Sequence, residues 1–134
     1  MTEKTTAAKL LIKPNSTYWT GSDEQSALLG PLPDGATRSA ALGGAAVAVI
    51  FAEDAAAAHR ELTAHRDELA GPGVLWVAYP KGNRSDVNRD TLWPIVAEYG
   101  LRPNGQVAVD DTWSALRFRA NKPGEAPFTG GAKG

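Results

Sequence analysis

The sequence predicts a single three-layer α/β domain with a mainly parallel sheet and an antiparallel pair of strands at its C-terminal end. Two apolar runs, residues 46–51 and 73–79, are continuous rather than alternating. Such runs are typical of parallel strands that helices cover on both faces. The final two strand-like segments are joined by a connection too short for a crossover, so they must pair antiparallel.

Composition agrees with one ordinary globular domain. The chain has 134 residues, of which 43% are hydrophobic and 22% are charged, enough for a single core. The formal charge is −1, from 14 basic and 15 acidic residues, so we do not expect a protein that coats nucleic acid. The absence of cysteine excludes disulfides, thiolate metal sites and cysteine nucleophiles.

The ends of the chain have a different character from its middle. Residues 1–6 lack the apolar stretch of a secretory signal, and the longest apolar run, 45–52, is too short to cross a bilayer. We therefore expect a cytoplasmic protein without a membrane partner. The composition predicts an N-terminal arm over 1–13 with a short apolar anchor, a domain over 14–119, and a disordered tail over 120–134.

Turn and cap signals divide the first half into elements. A short strand is expected over 17–20, followed by a helix that Ser22 begins with capping-box spacing and Gly30 ends. A weak strand over 36–39 and a stronger one over 46–51 come next.

The second half begins with a helix whose N-terminus carries Glu53 and Asp54 and which we expect to run through Ala70. Its buried stripe is formed by Ala58, Leu62, His65 and Leu69.

After the strand over 73–79, a third helix is predicted from Thr91 to the glycine at position 100, so that Pro94 falls in its first turn. Strands over 106–110 and 113–119 complete the domain.

The polar loop after residue 79 is the first candidate site. Ligands of open parallel sheets collect at the carboxyl ends of strands, near the N-terminus of the next helix. Lys81, Arg84 and Arg89, with Asn83 and Ser85, would favour a phosphate or carboxylate there. The alternative is that neighbouring aspartates pair with these cations on a solvated surface.

The turn between the final strands supplies the second part of this crevice. Asp110 and Asp111, with Thr112, could face the loop and bind a cation or act as a base. The alternative is that an aspartate begins a tight turn through its own side chain.

Other polar and aromatic residues have structural interpretations. Arg117 and Arg119 share one face of the last strand and fit an edge strand protected by charge, or a basic strip with Lys122. His59 and His65 are about 240° apart on a helix and cannot share a metal within one chain. The four tryptophans fit core or rim packing better than a platform for stacked bases.

No cofactor, metal site or catalytic residue is predicted. No serine lies in a nucleophile elbow, and no phosphate-binding GxxxxGK[ST] loop occurs.

Two resemblances add to this interpretation. The order of elements from Ala46 to Phe118 resembles the later half of a class I methyltransferase-like Rossmann fold. Segments 75–81, 86–90 and 107–119, with weaker matches at 11–14 and 27–33, are similar to an uncharacterised bacterial family of small domains of unknown function. The first resemblance would imply a glycine-rich cofactor loop after the first strand, where this chain has a single glycine in 19–24. The second implies a Rossmann-like fold and no activity.

The function that these observations favour is a non-catalytic binding or interaction module with a crevice formed by 81–90 and 110–112. Its ligand would be an anionic small molecule or a protein partner, the latter docking near Trp93 or Trp113. The alternative is a transferase-like or hydrolytic enzyme that acts on an anionic small molecule, with Asp110 or Asp111 as base.

Overall fold

A six-stranded sheet with helices on both faces forms the domain, as seen in a computed structural model that describes residues 6–69, 71–81, 86–87, 89–110 and 112–120. The helices and strands, in chain order, are α1 Thr6–Lys9, β1 Thr17–Trp19, α2 Asp23–Ala27, β2 Thr37–Arg38, β3 Val47–Phe51, α3 Ala55–Ala64, β4 Val74–Pro80, α4 Arg89–Ala97, β5 Leu101–Ala108 and β6 Trp113–Ala120. Short 3₁₀ turns lie at Leu42–Gly44 and Arg66–Glu68.

The sheet has the strand order β2-β1-β3-β4-β6-β5. Strands β1 to β4 are parallel, and β6 runs antiparallel between β4 and β5. This arrangement confirms the predicted α/β class, with its mainly parallel sheet and antiparallel C-terminal pair.

Apolar side chains pack on both faces of the sheet. On one face, α3 and α4 cover residues that include Ile50, Val77 and Phe118. On the other face, the N-terminal segment and α2 cover residues that include Val49 and Trp76. All five residues of β3 are buried, as expected for a central parallel strand.

The N-terminal segment contributes to the second of these layers. Leu10 and Ile12, from the predicted apolar anchor, are buried, as is Ala7 of α1. The indole N–H of Trp76 donates a hydrogen bond of 2.8 Å to the Leu10 carbonyl oxygen. Residues 6–12 therefore pack against the sheet. Of the predicted tail, Ala120 ends β6 and 121–134 lie outside the described residues.

Four helix boundaries differ from the prediction, and two of the differences are small: α2 ends at Ala27 and α4 at Ala97, each three residues before the glycine predicted to end it. The helix α3 ends at Ala64 rather than Ala70, because the chain turns at His65 into a 3₁₀ turn that directs Glu68 to the backbone N–H of Gly43. The helix α4 begins at Arg89, two residues before the predicted start, and Pro94 lies inside it rather than in its first turn. Proline cannot make one of the helix backbone hydrogen bonds, and the burial of α4 side chains against the sheet offsets the resulting loss of stability.

The C-terminal strands differ in extent and position. Strand β5 begins at Leu101 rather than at residue 106, because Leu101 is buried in the core. Pro103 is tolerated there since β5 is an edge strand, and the register shifts between Pro103 and Gly105. The interpretation of β6 as an edge strand was wrong, because β6 lies between β4 and β5. Arg117 pairs in register with Trp76 of β4.

Glu68 connects the two 3₁₀ turns and should make their contact sensitive to pH. Its carboxylate accepts a hydrogen bond of 3.0 Å from the Gly43 N–H and lies 3.2 Å from His65 Nδ1. The Gly43 hydrogen bond, and then His65, lower the pKa of Glu68 below its ordinary range. A lowered pKa in the folded state stabilises the fold above the unfolded-state pKa, and this stabilisation is lost as the pH falls through the folded-state value.

We therefore expect the wild-type protein to be more stable than Glu68→Gln at about pH 7, and the difference to shrink as the pH falls below about 4.3, the ordinary pKa of a glutamate in an unfolded chain. Urea unfolding at neutral and at acidic pH measures it. A difference that persists unchanged in acid would contradict the role of the ionised carboxylate.

Candidate functional site

The strand order creates a crevice between β1 and β3 at the carboxyl edge, the edge of the sheet where β1 to β4 end. The chain leaves β1 towards β2 on one side and leaves β3 towards β4 on the other. Connections that diverge in this way leave a gap between the two strand ends, and ligands of open α/β sheets bind at such switch points. The strand order alone therefore predicts a ligand-binding site in this crevice.

A cleft with a volume of about 350 Å³ opens at this point. We call it the switch-point cleft. Its described lining residues, in addition to Ser22, are Glu24, Gln25 and Leu28 after β1, Phe51 and Glu53 at the end of β3, and Trp113 at the start of β6.

An aromatic pair forms one wall of the switch-point cleft. The rings of Phe51 and Trp113 meet edge to face, with centroids 5.1 Å apart and planes at 86°, a favourable geometry for aromatic rings. Both residues flank β4, where Phe51 pairs with Ala78 and Trp113 pairs with Pro80. Because Ala78 has a small side chain, the two rings can meet above it.

The N-terminus of α2, beside the cleft, is capped by the chain itself. Ser22 Oγ accepts a hydrogen bond of 3.2 Å from the Gln25 N–H, and Gln25 Oε1 accepts one of 2.9 Å from the Gly21 N–H. The buried Thr20 hydroxyl donates to the Ser22 carbonyl oxygen and lies 2.6 Å from Ser26 Oγ. The cap predicted at Ser22 is confirmed, and these backbone donors are already used.

The N-terminus of α3 is closed by two carboxylates. Asp54 Oδ1 accepts a hydrogen bond of 2.7 Å from the Ala57 N–H, and Asp86 Oδ1 accepts one of 2.8 Å from the Ala55 N–H. Asp86 belongs to the segment between β4 and α4, so this contact also fixes that segment to α3. An anion approaching this helix end would meet negative charge in place of free N–H donors.

The structure brings together three of the predicted site residues. The Lys81 N–H donates a hydrogen bond of 2.8 Å to the Thr112 carbonyl oxygen, which joins the end of β4 to the β5–β6 turn. Asp110 Oδ1 accepts hydrogen bonds of 2.8 Å from the N–H groups of both Thr112 and Trp113. Asp110 therefore begins the turn through its own side chain, which was the alternative to a role as a base or a cation ligand.

The remaining predicted residues are less completely placed. Arg89 is the first residue of α4, whereas Asn83, Arg84, Ser85 and Asp111 lie outside the described residues. Their role as ligand-binding residues stays a prediction.

The histidines lie away from the switch-point cleft. His65 packs edge to face against Trp19, with ring centroids 4.8 Å apart, and helps to line a second, shallower cleft of about 490 Å³ that also contacts Arg38. His59 Nδ1 lies 3.3 Å from the Tyr99 hydroxyl oxygen, which links α3 to the chain after α4. Within the described residues, no group of three or more metal-ligating side chains is suitably arranged for a metal ion.

Sequence reasoning missed Glu24, Gln25, Leu28, Phe51 and Glu53 as lining residues. The sequence predicted where β4 ends but not the order of the strands in the sheet. The switch point depends on that order, so the cleft was not predicted. Aromatic residues at strand ends, Phe51 and Trp113, were the available signal, because large apolar groups at a solvent-facing edge are unusual unless they contact something.

Comparisons with known proteins agree with this topology. The sequence matches no protein-family profile and no curated protein. A Streptococcus agalactiae protein of the NAD-binding Rossmann superfamily is similar in structure, with a TM-score of 0.57 and 13% identity over 96% of this chain and 72% of that one. A Streptococcus pneumoniae candidate tRNA (m1A22) methyltransferase gives a TM-score of 0.57 and 12% identity over 97% of this chain and 74% of that one.

At such low identity these similarities establish the fold alone, which is a Rossmann-like α/β domain. In the described part of the chain, no helix combines the length and the apolar character that a bilayer span requires.

Proposed function

We propose that the protein is a non-catalytic binding module of the cytoplasm, and that its ligand occupies the switch-point cleft. The observation that carries this proposal is the cleft itself, which lies where open α/β sheets bind ligands. The neighbouring polar groups support a non-catalytic role, since Ser22, Asp54, Asp86 and Asp110 each accept hydrogen bonds from backbone N–H groups.

A methyltransferase-like enzyme is the second candidate, because one structural neighbour is a candidate tRNA methyltransferase. Its cofactor, S-adenosylmethionine, does not fit the residues present. The loop after β1 has a single glycine, Gly21, and the Gly21 N–H already donates a hydrogen bond of 2.9 Å to Gln25 Oε1. At the end of β2, Arg38 stands where a carboxylate would bind a ribose hydroxyl.

Two further parts of the proposal rest on sequence alone. The first is an anion-binding role for the residues Lys81, Asn83, Arg84, Ser85, Arg89 and Asp111. The second is membership of the bacterial family of small domains that the sequence resembles, which no family profile supports.

Indole N–H resonances provide a direct test of ligand binding. Four tryptophans give four resonances, and Trp113→Phe assigns the one that lines the cleft. We expect at least one ligand from a panel of nucleotides, sugar phosphates, capped amino acids and short peptides to shift the Trp113 resonance. The Trp76 indole, which donates to the Leu10 carbonyl oxygen, should stay unchanged and serves as the internal control.

Two results would overturn the proposal. One is a complete panel that leaves Trp113 unchanged. The other is saturable binding of S-adenosylmethionine, with methyl transfer to an added RNA, which would favour the methyltransferase-like candidate.

A further inference from the structure

We infer that the switch-point cleft binds a guanidinium group, the head group of an arginine side chain. This inference rests on the proposed function and names the chemical class of the ligand. It places a cation at the switch-point cleft, a different part of the carboxyl edge from the loop after β4, whose predicted ligand is an anion.

The charge of the lining favours a cation. Glu24 and Glu53 contribute carboxylates, and the described lining residues include no lysine, arginine or histidine. Both glutamates are exposed at the rim, and Glu24 can meet a ligand there without a large desolvation cost. A carboxylate also pairs better with guanidinium than with ammonium. The planar guanidinium offers two parallel N–H donors to the two carboxylate oxygens, whereas an ammonium is a point charge.

The capped helix ends beside the cleft disfavour the opposite charge. The N-termini of α2 and α3 are the usual sources of donors for an anion. Here Ser22 and Gln25 cap α2, and Asp54 and Asp86 cap α3. An anionic ligand would therefore meet carboxylates at helix ends where the N–H groups of Gln25, Ala55 and Ala57 are already used.

The aromatic wall favours a flat cation. Trp113 is partly buried and lines the cleft, held edge to face by Phe51. Indole is the strongest of the aromatic side chains in attracting cations to its ring face, and guanidinium stacks on such a face while its N–H groups reach outward to carboxylates. Leu28 adds an apolar contact that suits the methylene stem of an arginine.

The size of the cleft is consistent with one head group. Its volume of about 350 Å³ lies near the lower end of ligand pockets, which run from roughly 300 to 1,000 Å³. A single side chain fits such a space.

Matched ligands test the inference. We expect capped arginine (N-acetyl-arginine methylamide) to shift the Trp113 indole resonance with at least about tenfold higher affinity than capped citrulline, its neutral isostere. Capped lysine should bind more weakly than arginine. Agmatine and an acetylated Gly-Arg-Gly peptide, titrated in parallel, distinguish a small metabolite from a protein side chain as the source of the group.

Two variants localise the interaction. Glu24→Gln should weaken arginine binding by about threefold to tenfold, whereas Glu98→Gln, an equal loss of charge at an exposed site on another surface, should not change it. Trp113→Phe keeps an aromatic ring beside Phe51 and should weaken binding by a few-fold, monitored through the backbone amide of Leu28.

The outcomes separate this inference from the proposed function. Equal affinity for arginine and citrulline, or preferential binding of an anion at Trp113, would overturn the guanidinium assignment and leave a binding cleft. Absence of any shift at Trp113, whatever the charge of the ligand, would overturn both.

Discussion

Replacement of Leu10 with alanine is expected to lower the free energy of unfolding by about 2–5 kcal/mol. The Leu10 side chain is fully buried in the core on the α2 face of the sheet. Its removal leaves a cavity beneath the N-terminal segment. The same residue's carbonyl oxygen holds the Trp76 indole N–H, so local loosening would also leave a buried donor without its acceptor.

The adjacent residue provides a matched control for this prediction. Leu11 is 38% exposed, and Leu11→Ala removes the same atoms from the surface, with an expected effect within about 0.5 kcal/mol. Chemical denaturation of the two variants gives the comparison. Equal stabilities would mean that the N-terminal segment is not packed on the sheet in solution.

Local signals in the sequence predicted local structure well. The cap at Ser22 accepts the expected backbone hydrogen bond, Asp54 lies at the N-terminus of α3, where negative charge was expected, and Gly30 and Gly100 have the positive φ angles that favour glycine after a helix. Each of these features depends on residues a few positions apart, where side-chain chemistry leaves few alternatives.

Contacts between residues that are far apart in the chain could not be predicted from the sequence. The hydrogen bond between Trp76 and Leu10 joins positions 66 residues apart, and no pattern in 1–13 specifies where that segment will pack. The switch-point cleft has the same origin, since Phe51 and Trp113 come together through the strand order. Lys81 and Thr112, two residues of the predicted crevice, lie near this cleft, since Thr112 precedes Trp113 and the end of β4 was predicted correctly.

Gly71→Ala is expected to lower the free energy of unfolding by about 1–3 kcal/mol. A helix that ran through Ala70, as predicted, would make Gly71 its stop signal, but α3 has already ended at Ala64. A Cβ at Gly71 would instead overlap the backbone of Gly43, whose Cα would be 2.9 Å away. Glycine is therefore required here because two turns distant in sequence touch through their main chains.

Gly44→Ala is the control, because the nearest atom to its added Cβ is Ser39 Oγ at an ordinary 3.6 Å. This variant should match or slightly exceed the wild-type stability, since alanine restricts the unfolded chain. Gly71→Ala should also weaken the hydrogen bond from the Gly43 N–H to Glu68, so its stability should depend less on pH than that of the wild type. An unchanged unfolding midpoint for Gly71→Ala would show that the two turns do not touch in solution.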